Sequence, residues 1–206
     1  MKKLNSNLNY GIWLFGILFL TFNLNVKAQD NKKEIDSITK LIDRCTNCSY
    51  QYFRRAKLNL EDGNQMMAMS DLNNAIKIHL EYFDKKAIEL TRYYNERANL
   101  KLDLKDYRGG ILDFDKAVEV GSGTSTLWAE VFFGRAYCKS QLADYEGAVK
   151  DYEKVFVHNP DDKVTHYNLG LIKIDLDKKE EGCLHLSKAG ELGFKDAYKS
   201  ISKYCN

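Results

Sequence analysis

A chain of 206 residues, 44% hydrophobic and 29% charged, carries enough apolar material for one ordinary folded domain, which excludes wholesale disorder. Its one proline, Pro160, excludes linker-rich, mucin-like and collagen-like architectures and leaves helices free to run unbroken. With 31 Lys and Arg against 29 Asp and Glu, the formal charge of +2 is too small to imply nucleic acid as a partner.

Residues 1–28 have the pattern of a signal peptide. Lys2 and Lys3 precede an uncharged stretch from Leu4 to Val26 whose apolar heart runs from Tyr10 to Leu20, and Val26-Lys27-Ala28 ends it with residues that suit a signal peptidase. The expected cut follows Ala28, so that the mature chain begins at Gln29. The competing reading is an uncleaved anchor, but Asn5, Asn7, Asn9, Asn23 and Asn25 crowd both ends of a stretch that would need roughly 20 apolar residues to span. The first cysteine is Cys45, so no thiol sits behind the cut to take a lipid. The expectation is an exported protein, periplasmic or secreted, with no stable membrane insertion after signal removal and in a compartment where disulfides persist.

Residues 29–48 form the next piece, a capping helix and a cysteine-containing loop. Ile35, Ile38, Leu41 and Ile42 predict an amphipathic helix. Cys45-Thr46-Asn47-Cys48 follows as a C-x-x-C motif, with neither the strand pattern of a redox domain nor the trailing histidine of a haem site. A small disulfide or two unrelated thiols both fit it.

Over residues 49–196 four segments align: Tyr52 to Ala56, Tyr94 to Ala98, Phe132 to Ala136 and His166 to Gly170. Twelve residues beyond each final small residue stands another: Ala68, Gly110, Ala148 and Gly182. A large apolar residue follows four later (Leu72, Phe114, Tyr152, Leu186), and Ala75, Ala117, Val155 and Ala189 come three beyond those. Spacings of four and three define one helix face, and small residues at matched places let two helices approach closely. The pattern resembles the tetratricopeptide repeat from about Tyr50 to Phe194. The resemblance implies an all-α fold, an α-α superhelical solenoid of four two-helix repeats with capping helices at both ends.

The steps between units are 42, 38 and 34 residues, and only the last equals the family's period. The first excess, around His79 to Arg92, holds no glycine or proline and predicts lengthened helices. The second contains Gly121-Ser122-Gly123 and predicts a loop. Ala189-Gly190-Glu191-Leu192-Gly193 resembles a Sel1-type ending, and residues 195–206 are expected to form the C-terminal cap.

Three pairs recur at a separation of 16 residues: Arg55 with Asp71, Arg97 with Asp113, and Arg135 with Asp151. Their midpoints fall in the turns, so each Arg stands level with its Asp across an antiparallel hairpin. Leu169 and His185 occupy the matching places of the fourth unit, a joint loss that points to a paired structural role. Independently solvated charges are the plainer alternative. The same symmetry sets Cys183 level with Cys205 about a midpoint beside Gly193, which makes them disulfide candidates against the alternative of two buried thiols. Cys138 is then the odd thiol.

Through the resemblance, the first helix of each unit lines a concave surface that binds extended peptides or helices. This puts Tyr50, Phe53, Lys57, Arg92, Asn95, Asn99, Phe133, Tyr137, Tyr167, Leu171 and Ile174 on the inner face, with ordinary repeat packing as the alternative for several rings. The carboxylate clamp of chaperone-binding members is missing, because Phe53/Lys57, Glu96 and Glu130/Gly134 stand at its places. No phosphate loop, G-x-S-x-G or metal-ligand spacing occurs, and no cofactor is implied. The resulting expectation is a non-enzymatic scaffold for a protein or peptide. Its rivals are an envelope glycan-binding or enzyme-accessory module and a thiol oxidoreductase using Cys45 and Cys48.

Overall fold

The computed structural model describes residues 27–205, and the expected signal-peptide core lies outside them. Every regular element among the described residues is helical. α1 covers 27–42, followed by α2 (Ser49–Glu61), α3 (Gln65–Tyr82), α4 (Ile88–Asp103), α5 (Tyr107–Val120), α6 (Ser125–Gln141), α7 (Tyr145–His158), α8 (Lys163–Asp175), α9 (Lys179–Glu191) and α10 (Asp196–Tyr204). None of them is long and apolar enough to cross a membrane.

One turn is used five times. Gly63, Lys105, Ala143, Asp177 and Gly193 all have positive φ, between 59° and 86°. At each, the residue's own N–H reaches back three residues and the next N–H reaches back five. At Ala143 these are the bonds to the Ser140 carbonyl at 3.0 Å and from Asp144 to the Lys139 carbonyl at 3.0 Å. This Schellman closure satisfies helix-end carbonyls and reverses the chain in two residues. At the second and third of these turns the next residue opens the following helix: the Asp106 carboxylate accepts the Gly109 N–H, and the Asp144 carboxylate accepts the Gly147 N–H. Steps of 42, 38 and 34 between the first four turns reproduce the repeat steps in the sequence.

The chain divides into two compact units at a boundary inside α3, between Asp71 and Leu72. In the first, Ile38, Ala56 and Ala68 are buried, and Asn31 Nδ2 donates to Asp62 Oδ1 at 2.8 Å. Leu41, expected on the apolar face of α1, is 53% exposed. The helix contributes a narrow stripe centred on Ile38, and Leu41 lies beyond its edge. Cys45 and Cys48 are joined as a disulfide.

In the second unit α4–α5, α6–α7 and α8–α9 pack as hairpins, α5 meets α6, α7 meets α8, and α10 closes on α9. The aligned positions form its core: Ala98, Ala136, Gly170, Gly110, Ala148, Gly182, Phe114, Tyr152, Leu186, Ala117, Val155 and Ala189 are all buried. Gly170 and Gly182 mark a close crossing of the α8 and α9 backbones. A Cβ at Gly182 would lie 2.6 Å from the Gly170 carbonyl oxygen, and one at Gly170 would lie 2.9 Å from that of Gly182.

Two connections show how far composition carries. The 121–124 segment is a loop, with Gly121 at φ 71° and Thr124 capping α6. The region from His79 to Arg92 has long helices, 18 residues in α3 and 16 in α4, but also a loop over 83–87. Asp84 turns that loop without glycine or proline: its carboxylate accepts the Lys86 N–H at 2.9 Å, and its carbonyl lies 3.1 Å from His79 Nε2.

Cys183 on α9 is bonded to Cys205 at the end of α10, with Cα atoms 5.8 Å apart. Cys138 is buried and free, and burial pushes its thiol up to about 12. Peptide mapping of unreduced protein should recover Cys183 and Cys205 in one linked fragment and Cys138 unlinked. Replacing Cys205 by Ser should cost about 2–3 kcal/mol, because the bond restricts the unfolded chain. Alkylation of Cys205 in native, unreduced protein would contradict the bridge.

Candidate functional site

The three Arg–Asp pairs meet as two-pronged ion pairs. Arg55 donates to Asp71 at 2.9 and 2.8 Å, Arg97 to Asp113 at 2.8 and 2.6 Å, and Arg135 to Asp151 at 2.8 and 2.6 Å. Each guanidinium also lies over the ring three residues before it: Tyr52 at 5.4 Å, Tyr94 at 5.6 Å and Phe132 at 5.6 Å. The remaining nitrogen ties each to a polar residue earlier in the chain, Thr39, Asn73 or Asp115. Every member of these clusters is partnered within the chain, as in a structural strut. The third is the most enclosed, its side chains being 10% and 2% exposed, against 18% and 5% for the second.

The fourth unit fills the same places differently. Leu169 is buried, and His185 turns its Nδ1 toward His166 Nδ1 at 3.0 Å, with the Phe156 ring against both imidazoles. His166 Nε2 lies 3.2 Å from the Pro160 carbonyl, which requires a proton on that nitrogen. The bare His166 Nδ1 then accepts the proton of His185 Nδ1, an assignment set by the network. Burial above all, with the neighbouring imidazole of His166 and the cation of Lys173, lowers His185 to about 4 against the opposing pull of Glu181. Because the folded state refuses a proton that the unfolded state accepts at 6.5, the contribution of His185 to stability is full above pH 6.5. It is lost progressively as pH falls toward 4. Denaturant titrations across that range should show a shallower loss for His185→Leu than for the native chain.

The residues expected on the inner face fall into separate environments. In the first unit Tyr50 and Lys57 of α2 are exposed and Phe53 is half-buried. In the second, Arg92 is exposed, Asn95 is 4% exposed, and Asn99, Tyr137 and Leu171 are half-buried. Tyr167 serves packing: its ring lies 4.6 Å from Phe194 and its hydroxyl 3.3 Å from Ser200 Oγ under α10. Phe133 stands edge-on to Tyr152 at 5.7 Å and forms one wall of an open cleft of about 600 Å³.

Thr126, Ala129, Glu130 and Phe133 of α6 line that cleft on one side; Val155, His158, Asn159, Asp162 and Val164 complete it. Asn95 reaches its edge, donating Nδ2 to Glu130 Oε2 at 3.4 Å, while its Oδ1 finds no donor. Of this lining, the family resemblance puts only Phe133 on the inner groove. The spacing 126, 129, 130, 133 is one helix face, a signal hidden because Thr, Ala and Glu are individually unremarkable. Among the described residues no group of three or more His, Cys, Asp or Glu converges as a metal site.

Residues 129–157 match the family model of the tetratricopeptide repeat. Solved structures agree over most of the chain. The 41-end form of MamA from Desulfovibrio magneticus RS-1 superposes with a TM-score of 0.67 at 12% identity, over 84% of this chain and 93% of that one. The fold is an α-α solenoid of tetratricopeptide type. Cut9 and Hcn1 form an APC/C hetero-tetramer whose structure contains a chain matching at TM-score 0.67 and 14% identity, over 83% of this chain and 33% of that one. A C-terminal part of a TPR repeat-containing protein from Cytophaga hutchinsonii gives 0.62 at 17% identity, over 82% and 63%. At these identities the likeness concerns the fold. No curated protein matches the sequence significantly.

Proposed function

We propose that the protein is a non-enzymatic scaffold that is exported, cut after Ala28, and binds a protein or peptide along the inner helices of its second unit. The observation that carries this reading is the open cleft on α6, with an aromatic wall at Phe133 and hydrogen-bonding groups at its edge. Such a mixture suits an extended chain, whose side chains seek apolar contact while its backbone seeks polar partners. Assembly of Cut9 with Hcn1 in a structure of this fold supports the same class of activity by analogy. The Cys45–Cys48 pair has no nearby catalytic context in the sequence, so a structural staple is preferred over redox turnover.

Capture of interacting proteins from the envelope fraction by the immobilised processed chain tests the binding half. Thr126→Trp, at an exposed position on the cleft wall, should keep the fold and abolish capture of the principal partner. Undiminished capture would move the site elsewhere, and a glycan array would separate the sugar-binding alternative. N-terminal sequencing of protein from its native host should begin at Gln29; a full-length, membrane-bound chain would remove the export half.

A further inference from the structure

We propose that the α6–α8 cleft receives a cationic side chain, an arginine above all, presented by an extended segment of the partner protein. This rests on the interaction reading above and specifies its chemistry. Two carboxylates line the cleft, Glu130 and Asp162, and no lysine or arginine lines it with them. Neither carboxylate has a basic partner within ion-pair distance among the described residues. Their contacts are neutral: Glu130 accepts from Asn95 Nδ2 at 3.4 Å, and Asp162 accepts the Thr165 N–H at 2.7 Å and Asn159 Nδ2 at 3.3 Å. Several acids elsewhere in the second unit are paired instead. Asp113 and Asp151 each face an arginine and a lysine, and Glu181 faces Lys173.

Ala129, Phe133, Val155 and Val164 give the same cleft an apolar share of its lining. A lining that combines apolar side chains with two carboxylates fits a side chain with a hydrocarbon stem and a charged head. A guanidinium has five donors and no acceptor, matches a carboxylate with two parallel bonds, and gains from the face of a ring such as Phe133. Asn95 strengthens the assignment. It is 4% exposed, its amide is directed at Glu130 on the cleft edge, and its Oδ1 is an acceptor without a donor. An anionic segment would meet two like charges here, and an apolar one would strip water from Glu130 without replacing it.

The test uses the processed protein, labelled with nitrogen-15, and three peptides Ac-Gly-Ala-Xaa-Ala-Gly-amide with Xaa as arginine, norleucine or glutamate. The arginine peptide should shift the amide signals of Ala129, Phe133 and Val164 saturably, with a dissociation constant at least tenfold below that of the norleucine peptide. The glutamate peptide should leave them unmoved. Glu130→Gln, isosteric and at an exposed position, should weaken the arginine peptide at least fivefold without changing the norleucine peptide or the melting temperature. Asp162→Asn keeps the α8 cap, since Asn caps as well as Asp, and should weaken arginine binding to a smaller degree. Equal binding of arginine and norleucine, or indifference to Glu130→Gln, would overturn the cationic assignment and leave the interaction reading standing. If no peptide moves the cleft signals, both fall together.

Discussion

Arg135→Leu should destabilise the protein by about 3–5 kcal/mol, the cost of leaving a buried charge without its principal partner. Asp151 has a side chain only 2% exposed and takes two bonds from Arg135, at 2.8 and 2.6 Å, and one from Lys139 at 2.7 Å. Burial works to raise its pKa, but the hydrogen bonds and charges of Arg135 and Lys139 outweigh that and hold it below the ordinary value of 3.8. A carboxylate lowered in this way stabilises the fold above its unfolded pKa, and the contribution is lost as pH falls through the folded one. The variant should therefore show its full deficit at neutral pH and a smaller one in strong acid. Arg97→Leu should cost less, because its side chain is 18% exposed and water can reach the broken pair. Equilibrium urea unfolding measures both. A double-mutant cycle of Arg135→Leu with Asp151→Leu that gave no coupling would return these residues to independently solvated charges.

Gly182→Leu should be as damaging, by about 3 kcal/mol or more, for a reason of space alone. The position is buried where α9 crosses α8, and even a Cβ would come within 2.6 Å of both the Gly170 carbonyl oxygen and Ile174 Cγ1. One of those atoms belongs to a helix backbone, so relief requires the two helices to separate, and overpacking of this kind routinely costs 1–3 kcal/mol even where side chains can yield. The loss should show in thermal unfolding of the second unit. Gly193→Ala is the contrasting control: φ is 86° but nothing lies within 4 Å of a Cβ there, so only the backbone penalty of about 1 kcal/mol applies. Equal effects at the two sites would show that close approach adds nothing to the cost at Gly182.

Much of the fold was legible because the repeat writes the same constraints several times. Ala98, Ala136 and Gly170 recur at one register and Gly110, Ala148 and Gly182 at another, and a single alignment therefore exposes which faces meet. The loop at 83–87 was not legible. Its turn depends on Asp84, a residue no different in type from the many acids that lie on helices. The cleft was legible only through Phe133. Thr126, Ala129 and Glu130 become a wall only when α7, α8 and the turn between them stand opposite.

The sequence by itself determined the helical class, the hairpin register and the candidate pairs, because each follows from spacing along a chain whose turns are short and alike. Arg135 and Asp151 lie level in any antiparallel hairpin that turns at Ala143. Which strut is buried deepest, which rings pack and which line open space, and where two carboxylates stand without a basic partner depended on the tertiary structure. Tyr167 and Phe133 look alike in the repeat, yet one is covered by α10 and the other faces the cleft. That difference arises because exposure and electrostatic pairing are set by neighbours from other helices, and sequence spacing within one hairpin carries no information about them.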